Sequence, residues 1–122
     1  MNYTIIRANA DGVSFFETAE LVLETVELAP PAATFLTSAF TQAKEIGFMT
    51  IPAGWAGGWH NAPDPGFVIV PEGEMEIETG DGDRRRFPTG SVWQHRDFEG
   101  DGHNTTVVGE IDAKLIMVRL DE

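Results

Sequence analysis

The groups best suited to moving protons in this chain are its three histidines, His60, His95 and His103. Imidazole titrates near pH ~6.5, so each can act as general acid or base around neutrality. For His60 the competing reading is an internal histidine with its hydrogen bonds satisfied. For His103, inside Gly100-Asp101-Gly102-His103, it is a loop histidine capping a glycine-rich turn. His95 has Asp97 two residues on, which puts both on one side of a regular strand. That spacing could orient an imidazole with a carboxylate. The plainer reading, preferred here, is a surface pair beyond a twisted strand end.

Other chemistries find little support. With no cysteine there is no thiol nucleophile, no disulfide framework and no thiolate zinc site. Ser14, Ser38 and Ser91 lack a G-x-S-x-G setting, and no glycine-rich phosphate loop or dinucleotide fingerprint is present. His60, His95, His103 and Asp97 are the right donor types for zinc, iron or manganese, but no two histidines have tight motif spacing. Arg84-Arg85-Arg86 could hold a carboxylate or phosphate. Opposite Glu74, Glu76 and Glu78 in a hairpin, they read more simply as cross-strand ion pairs.

The chain that must position these groups has 122 residues, 42% of them hydrophobic. That length suits one domain over residues 1–122 with one core. The net charge of −12 repels phosphate backbones and anionic lipid, so nucleic-acid and membrane partners are not expected. No apolar run reaches membrane-spanning length, and Met1-Asn2-Tyr3-Thr4-Ile5-Ile6-Arg7 does not read as a signal peptide. The expected compartment is the cytoplasm.

Short β-like segments separated by Gly and Pro predict an all-β sandwich or small barrel with little helix. Glu74–Thr79 alternates strictly, with Met75, Ile77 and Thr79 on one face. Residues 79–83 (TGDGD) read as a turn and Arg84–Phe87 as the returning strand. Further strands are expected at Ala43–Ile51, Phe67–Val70, Ser91–His95, Thr105–Glu110 and Lys114–Leu120. Ala19–Glu27 reads as strand or one helical turn. A turn or two of helix is expected near Phe35–Lys44.

The central punctuation carries a resemblance. Gly54 is followed by five residues and His60, with Ala62, Gly66 and Gly73 after it. Gly82 is followed by five residues and Pro88-Thr89-Gly90, with Trp93 three further on. This spacing resembles the two motifs of the cupin superfamily: G, five residues, H-x-H, three or four residues, E, six residues, G; then G, five residues, P-x-G, two residues, H. The match runs from Gly54 to about Asp97. It implies an antiparallel cupin barrel, or jelly roll, which in small members commonly forms a homodimer. Trp59-His60-Asn61-Ala62-Pro63 and Gly100–Thr105 also resemble segments of a subset of small bacterial cupins.

The departures from the pattern bear on function. A typical cupin metal site uses both histidines and the glutamate of the first motif and the histidine of the second. Here only His60 keeps its type. Ala62, Gly66 and Trp93 stand at the other three positions, so no metal cofactor is expected. The resemblance orients His60 inward and makes Trp93 an aromatic wall or a filler of the metal's space. Catalytic candidates are then His60, His103 and His95. Substrate-contact candidates are Trp93, Asp97, Trp55, Phe67 and Val68; Trp59 is expected to pack outside. Three readings stay open. The leading one is a metal-independent lyase, isomerase or hydratase that uses histidine acid–base chemistry on a small, partly apolar metabolite. The second is a non-catalytic binding or sensing barrel. The third is a metalloenzyme whose site is displaced onto His60, His95, His103 and Asp97.

Overall fold

The computed structural model describes residues 1–122 and contains twelve β-strands and no helix. They are β1 (Asn2–Ala8), β2 (Ser14–Glu20), β3 (Glu24–Val26), β4 (Phe35–Thr37), β5 (Ala43–Ile51) and β6 (Ala56–His60). The second half holds β7 (Gly66–Glu72), β8 (Met75–Glu78), β9 (Arg84–Phe87), β10 (Val92–His95), β11 (His103–Val107) and β12 (Ala113–Leu120). A six-stranded sheet runs β2-β1-β10-β7-β12-β5, and a four-stranded sheet runs β6-β11-β8-β9. β3 and β4 form a separate two-stranded hairpin. All pairings are antiparallel except β1 with β10. This is an all-β arrangement of two facing sheets, as the resemblance implies.

Alternation decides which side chains enter the core. On β8, Met75 and Ile77 are buried, and Thr79 just beyond the strand shares their face. The apolar run of β7 also alternates: Val68 and Val70 are buried, while Phe67 and Ile69 stay half-exposed on the outer face. Ile6, Trp93 and Leu115 join Val68, Val70 and Ile77 between the two sheets. Each large apolar side chain buried there contributes roughly 1.5–3 kcal/mol relative to leaving it in water.

The helix expected near Phe35–Lys44 is strand and loop instead, and of the two readings of Ala19–Glu27 the structure has strand. Phe35–Thr37 is β4, and β5 begins at Ala43. The Ala19–Glu27 segment splits between the end of β2 and β3. Neither segment has room for two helical turns between the strands that claim its ends, so sheet pairing overrides local propensity.

The Arg84–Arg86 run behaves as alternation demands. Arg84 meets Glu78 at 2.6 Å, and Arg86 meets Glu74 and Glu76 at 3.3 Å each. Arg85 turns to the other face, its guanidinium 4.9 Å from the centre of the Phe16 ring.

The outer face of the six-stranded sheet is unusually apolar for one that meets water. Phe48, Ile116, Ile69 and Val92 lie directly opposite one another across β5, β12, β7 and β10. Phe48 is 75% exposed. No helix is long and apolar enough to cross a membrane.

Candidate active site

No strand pairing joins the two sheets. β5 pairs only with β12, and β6 pairs only with β11. Between these two edges lies a cavity of about 260 Å³. Its floor comes from the six-stranded sheet: Val68 of β7, Trp93 and His95 of β10, and Leu115 and Met117 of β12. The facing wall comes from β6, β8 and β11, with His60, Met75, His103 and Thr105. Met49 and Ile51 of β5 and Trp55 of the following turn complete the rim.

All three histidines line this cavity. His103 and His60 are directly paired across β11 and β6, so their rings project side by side, with centroids 4.6 Å apart. Gly102 makes that approach possible. Its φ is +76°, and a Cβ there would lie 2.1 Å from the His60 carbonyl oxygen. A side chain at 102 would force β11 away from β6 and separate the two imidazoles.

Asp97 sits behind His103 rather than in the cavity. It is fully buried, and its Oδ2 lies 2.5 Å from His103 Nδ1. Its Oδ1 has no hydrogen-bond partner. The carboxylate therefore directs its charge at one imidazole. Nδ1 is committed to Asp97, which leaves Nε2 as the ring nitrogen free to exchange a proton. The loop holding Asp97 is tied down by its carbonyl, which accepts from Ala62 N at 3.2 Å and Asn61 Nδ2 at 3.3 Å. His60 is also oriented: Nδ1 donates to the Gly58 carbonyl at 2.8 Å, again leaving Nε2 free. His60 is solvent-exposed at the rim, whereas His103 is buried.

His95 differs from both. Burial pushes its pKa down to about 4, and the nearby charge of His103 pushes the same way; Asp97 and Asp64 offset this only in part. It stays a neutral imidazole at neutral pH. The space it occupies depends on Gly66. A Cβ at Gly66 would lie 3.0 Å from His95 Nε2 and 2.8 Å from the Val118 carbonyl oxygen. The glutamate that the cupin pattern places at this position would collide with both. His95 thus packs directly against the position where the pattern has a glutamate.

Two expectations from the sequence are corrected here. The His95–Asp97 surface pair does not exist, because both residues are buried and the carboxylate bonds to His103. β10 ends at His95, so strict alternation does not carry on to Asp97. Asp97 and Phe67 are also not cavity residues. Phe67 faces outward and meets Tyr3 edge-on, with centroids 5.5 Å apart. Val68, Trp93 and Trp55 do line the cavity, with Trp93 packed against Phe87 at 4.9 Å. Trp59 lies outside and is 49% exposed.

Met49 and Met117 are lining residues that sequence reasoning missed, while Met75 lines the cavity from the face of β8 that alternation gave it. The signal lay in the alternation of β5 and β12, where Gly47, Met49 and Ile51 share one face and Ala113, Leu115 and Met117 share another.

The donors present do not make the metal site of the cupin pattern. Ala62 and Gly66 offer no ligating side chain, and Trp93 no metal-binding nitrogen. No group of three His, Asp or Glu side chains is placed to hold a metal ion. The arrangement can instead move protons: two oriented imidazoles share one wall of a mostly apolar cavity, and one is backed by a buried carboxylate.

No family model matches the sequence, and no curated protein does. Solved structures do match in shape. A Cupin 2 conserved barrel domain protein from Salinispora arenicola aligns with a TM-score of 0.53 at 20% identity, covering 83% of this chain and 76% of that one. The cupin domain of Cnp3 from Schizosaccharomyces pombe aligns with a TM-score of 0.51 at 11% identity, covering 98% and 88%. A predicted oxalate decarboxylase from Thermotoga maritima aligns with a TM-score of 0.50 at 17% identity, covering 84% and 95%. These identities speak to fold alone. With the strand order, the two facing sheets and the spacing from Gly54 to Asp97, they establish this chain as a small cupin-fold protein.

Proposed function

We propose that this chain is a small-molecule enzyme of the cupin type that uses histidine acid–base chemistry without a metal, in a lyase, isomerase or hydratase reaction. The observation that carries the reading is the buried Asp97–His103 pair at the wall of an apolar cavity. A carboxylate placed this way fixes the tautomer of the ring. It also faces the positive charge that forms when Nε2 takes a proton. In this reading His103 removes a proton from the substrate, and His60 returns one or donates to a leaving oxygen. Trp93 and the methionines hold the apolar part of the substrate, and neutral His95 and Thr105 offer hydrogen bonds.

The test works with the substrate still unidentified. A panel of small ketones, hydroxy acids and unsaturated acids is incubated in D₂O, and loss of carbon-bound protons is followed by NMR. Wild type should exchange or convert at least one compound. His103→Gln should slow that rate by about a hundredfold or more, the usual contribution of a positioned acid or base. Equal rates in both proteins would sink the assignment.

A second reading, a non-catalytic binding or sensing barrel, is favoured by the exposure of His60 and the aromatic and thioether lining. It predicts that ligands leave chemically unchanged and that His60→Ala alters affinity alone.

The same proposal includes a homodimer. The apolar row of Phe48, Ile116, Ile69 and Val92 ends at the unpaired edge of β5. That strand carries one Lys and one Glu in a chain of net charge −12, so two copies can approach there with little repulsion. Light scattering after size exclusion should give twice the chain mass, and Phe48→Glu should halve it. A monomeric wild type would remove this part of the proposal.

A further inference from the structure

We infer that the cavity selects an uncharged substrate and turns away carboxylates, phosphates and ammonium compounds. The inference deepens the acid–base reading of the same site and rests on it.

The Lys, Arg, Asp and Glu side chains of this protein are placed so that none lines the cavity. Of the eight Lys and Arg side chains, none lines it. Arg84 and Arg86 are engaged with Glu74, Glu76 and Glu78 on the far hairpin, and Arg96 is engaged with Glu122. Arg119 lies in a groove that shares Met49 and Met117 with the cavity. It is already answered by Glu45 at 3.3 Å and Asp64 at 3.6 Å. A carboxylate or phosphate in the cavity would lose its water and meet no Lys or Arg, and the charge of a protonated His103 is already answered by Asp97. The net charge of −12 opposes its approach as well.

Ammonium compounds fare no better. No Asp or Glu lines the cavity. Asp97 is screened behind His103 and already bonded to it, and Asp64 is engaged with Arg119.

The polar groups that do face the space are His60, His95, His103 and Thr105. Their hydrogen bonds suit a carbonyl or hydroxyl oxygen. Trp55, Trp93 and the three methionines suit a flat or flexible apolar body. The volume, about 260 Å³, corresponds to roughly nine waters of liquid and bounds the molecule to a small one.

The experiment compares three probes of similar size on the whole chain at neutral pH: acetophenone, benzoate and benzylamine. Dissociation constants come from ligand-observed NMR. Acetophenone should bind at least about tenfold tighter than either charged probe. Met117→Arg, which adds a cation where the cavity meets the groove, should reverse the order of acetophenone and benzoate.

Benzoate or benzylamine binding as tightly as acetophenone to wild type would overturn the inference. So would saturable binding by none of the three, or an unchanged benzoate affinity in Met117→Arg. His103→Gln separates this inference from the reading beneath it. A variant that loses proton exchange while benzoate still binds wild type as well as acetophenone does would sink the charge selection alone. A variant that keeps exchange while the preference for acetophenone holds would sink the acid–base role alone.

Discussion

One four-stranded sheet carries two clusters of charge, and they do different work. On β8 and β9, Arg84 and Arg86 meet three glutamates in open solvent; these arginine side chains are 62% and 61% exposed. At the start of β11, His103 meets Asp97, with side-chain exposures of 6% and 0%. Water screens the first cluster, so its pairs contribute at most about 1 kcal/mol each. The second is desolvated, so its geometry is held tightly, and removing one member leaves a buried polar group unanswered. A surface ladder tolerates change; a buried pair at a cavity wall imposes one arrangement and is suited to act on whatever enters.

The largest expected effect breaks the buried member. Asp97→Ala should cost about 3–5 kcal/mol in urea unfolding. Asp97→Asn, closer in shape, should retain more stability yet lower proton exchange by about a hundredfold or more, because the amide does not select the same tautomer of His103. A small loss of rate in Asp97→Asn would show that the carboxylate is structural only.

Acid should expose the third histidine. The pKa of His95 is depressed to about 4 in the folded protein, against ~6.5 unfolded, so the unfolded chain binds more protons between those values. The stability tied to keeping His95 neutral is full above pH ~6.5 and is lost as pH falls toward 4. Between pH 7 and 4.5 this amounts to about 2 kcal/mol from His95 alone. Urea titrations at both pH values should show a shallower acid loss in His95→Gln than in wild type. Parallel losses would place the acid sensitivity elsewhere.

Gly66→Ala tests the close packing around that ring. Its Cβ would press on the Val118 carbonyl and His95, an overpacking that costs about 1–3 kcal/mol. The NMR signals of the His95 ring should shift with it. The smallest effect belongs to the exposed ladder: Arg86→Ala should change stability by about 1 kcal/mol or less and leave proton exchange untouched. A larger change would mean that the ladder and the cavity are coupled through β8 and β11.

Much of this molecule was legible before its fold. Strict alternation in β8, the turn at residues 79–83 and the full length of β5 follow from side-chain period and turn chemistry, which are local properties. The spacing from Gly54 to Trp93 carried the barrel resemblance, because glycines and a proline at fixed intervals mark where the chain must turn. The histidines could be named as acid–base candidates from residue type alone, and the departures from the cupin pattern at Ala62, Gly66 and Trp93 were visible.

Partnership was not legible. His95 and Asp97 are near in sequence, yet Asp97 reaches across a loop to His103, and His103 stands beside His60, distant in the chain. Which two of three imidazoles share a wall depends on β6 and β11 pairing in one register, with Gly102 allowing the close approach. Whether His95 is buried depends on Gly66 leaving room for it. These are contacts between segments far apart in the chain, and local pattern carries no record of them. The sequence by itself determined several strands from Ala43 onward and the inventory of reactive groups. The tertiary structure decided which of those groups face one cavity, which carboxylate stands behind which ring, and that no Lys, Arg, Asp or Glu side chain lines the space between the sheets.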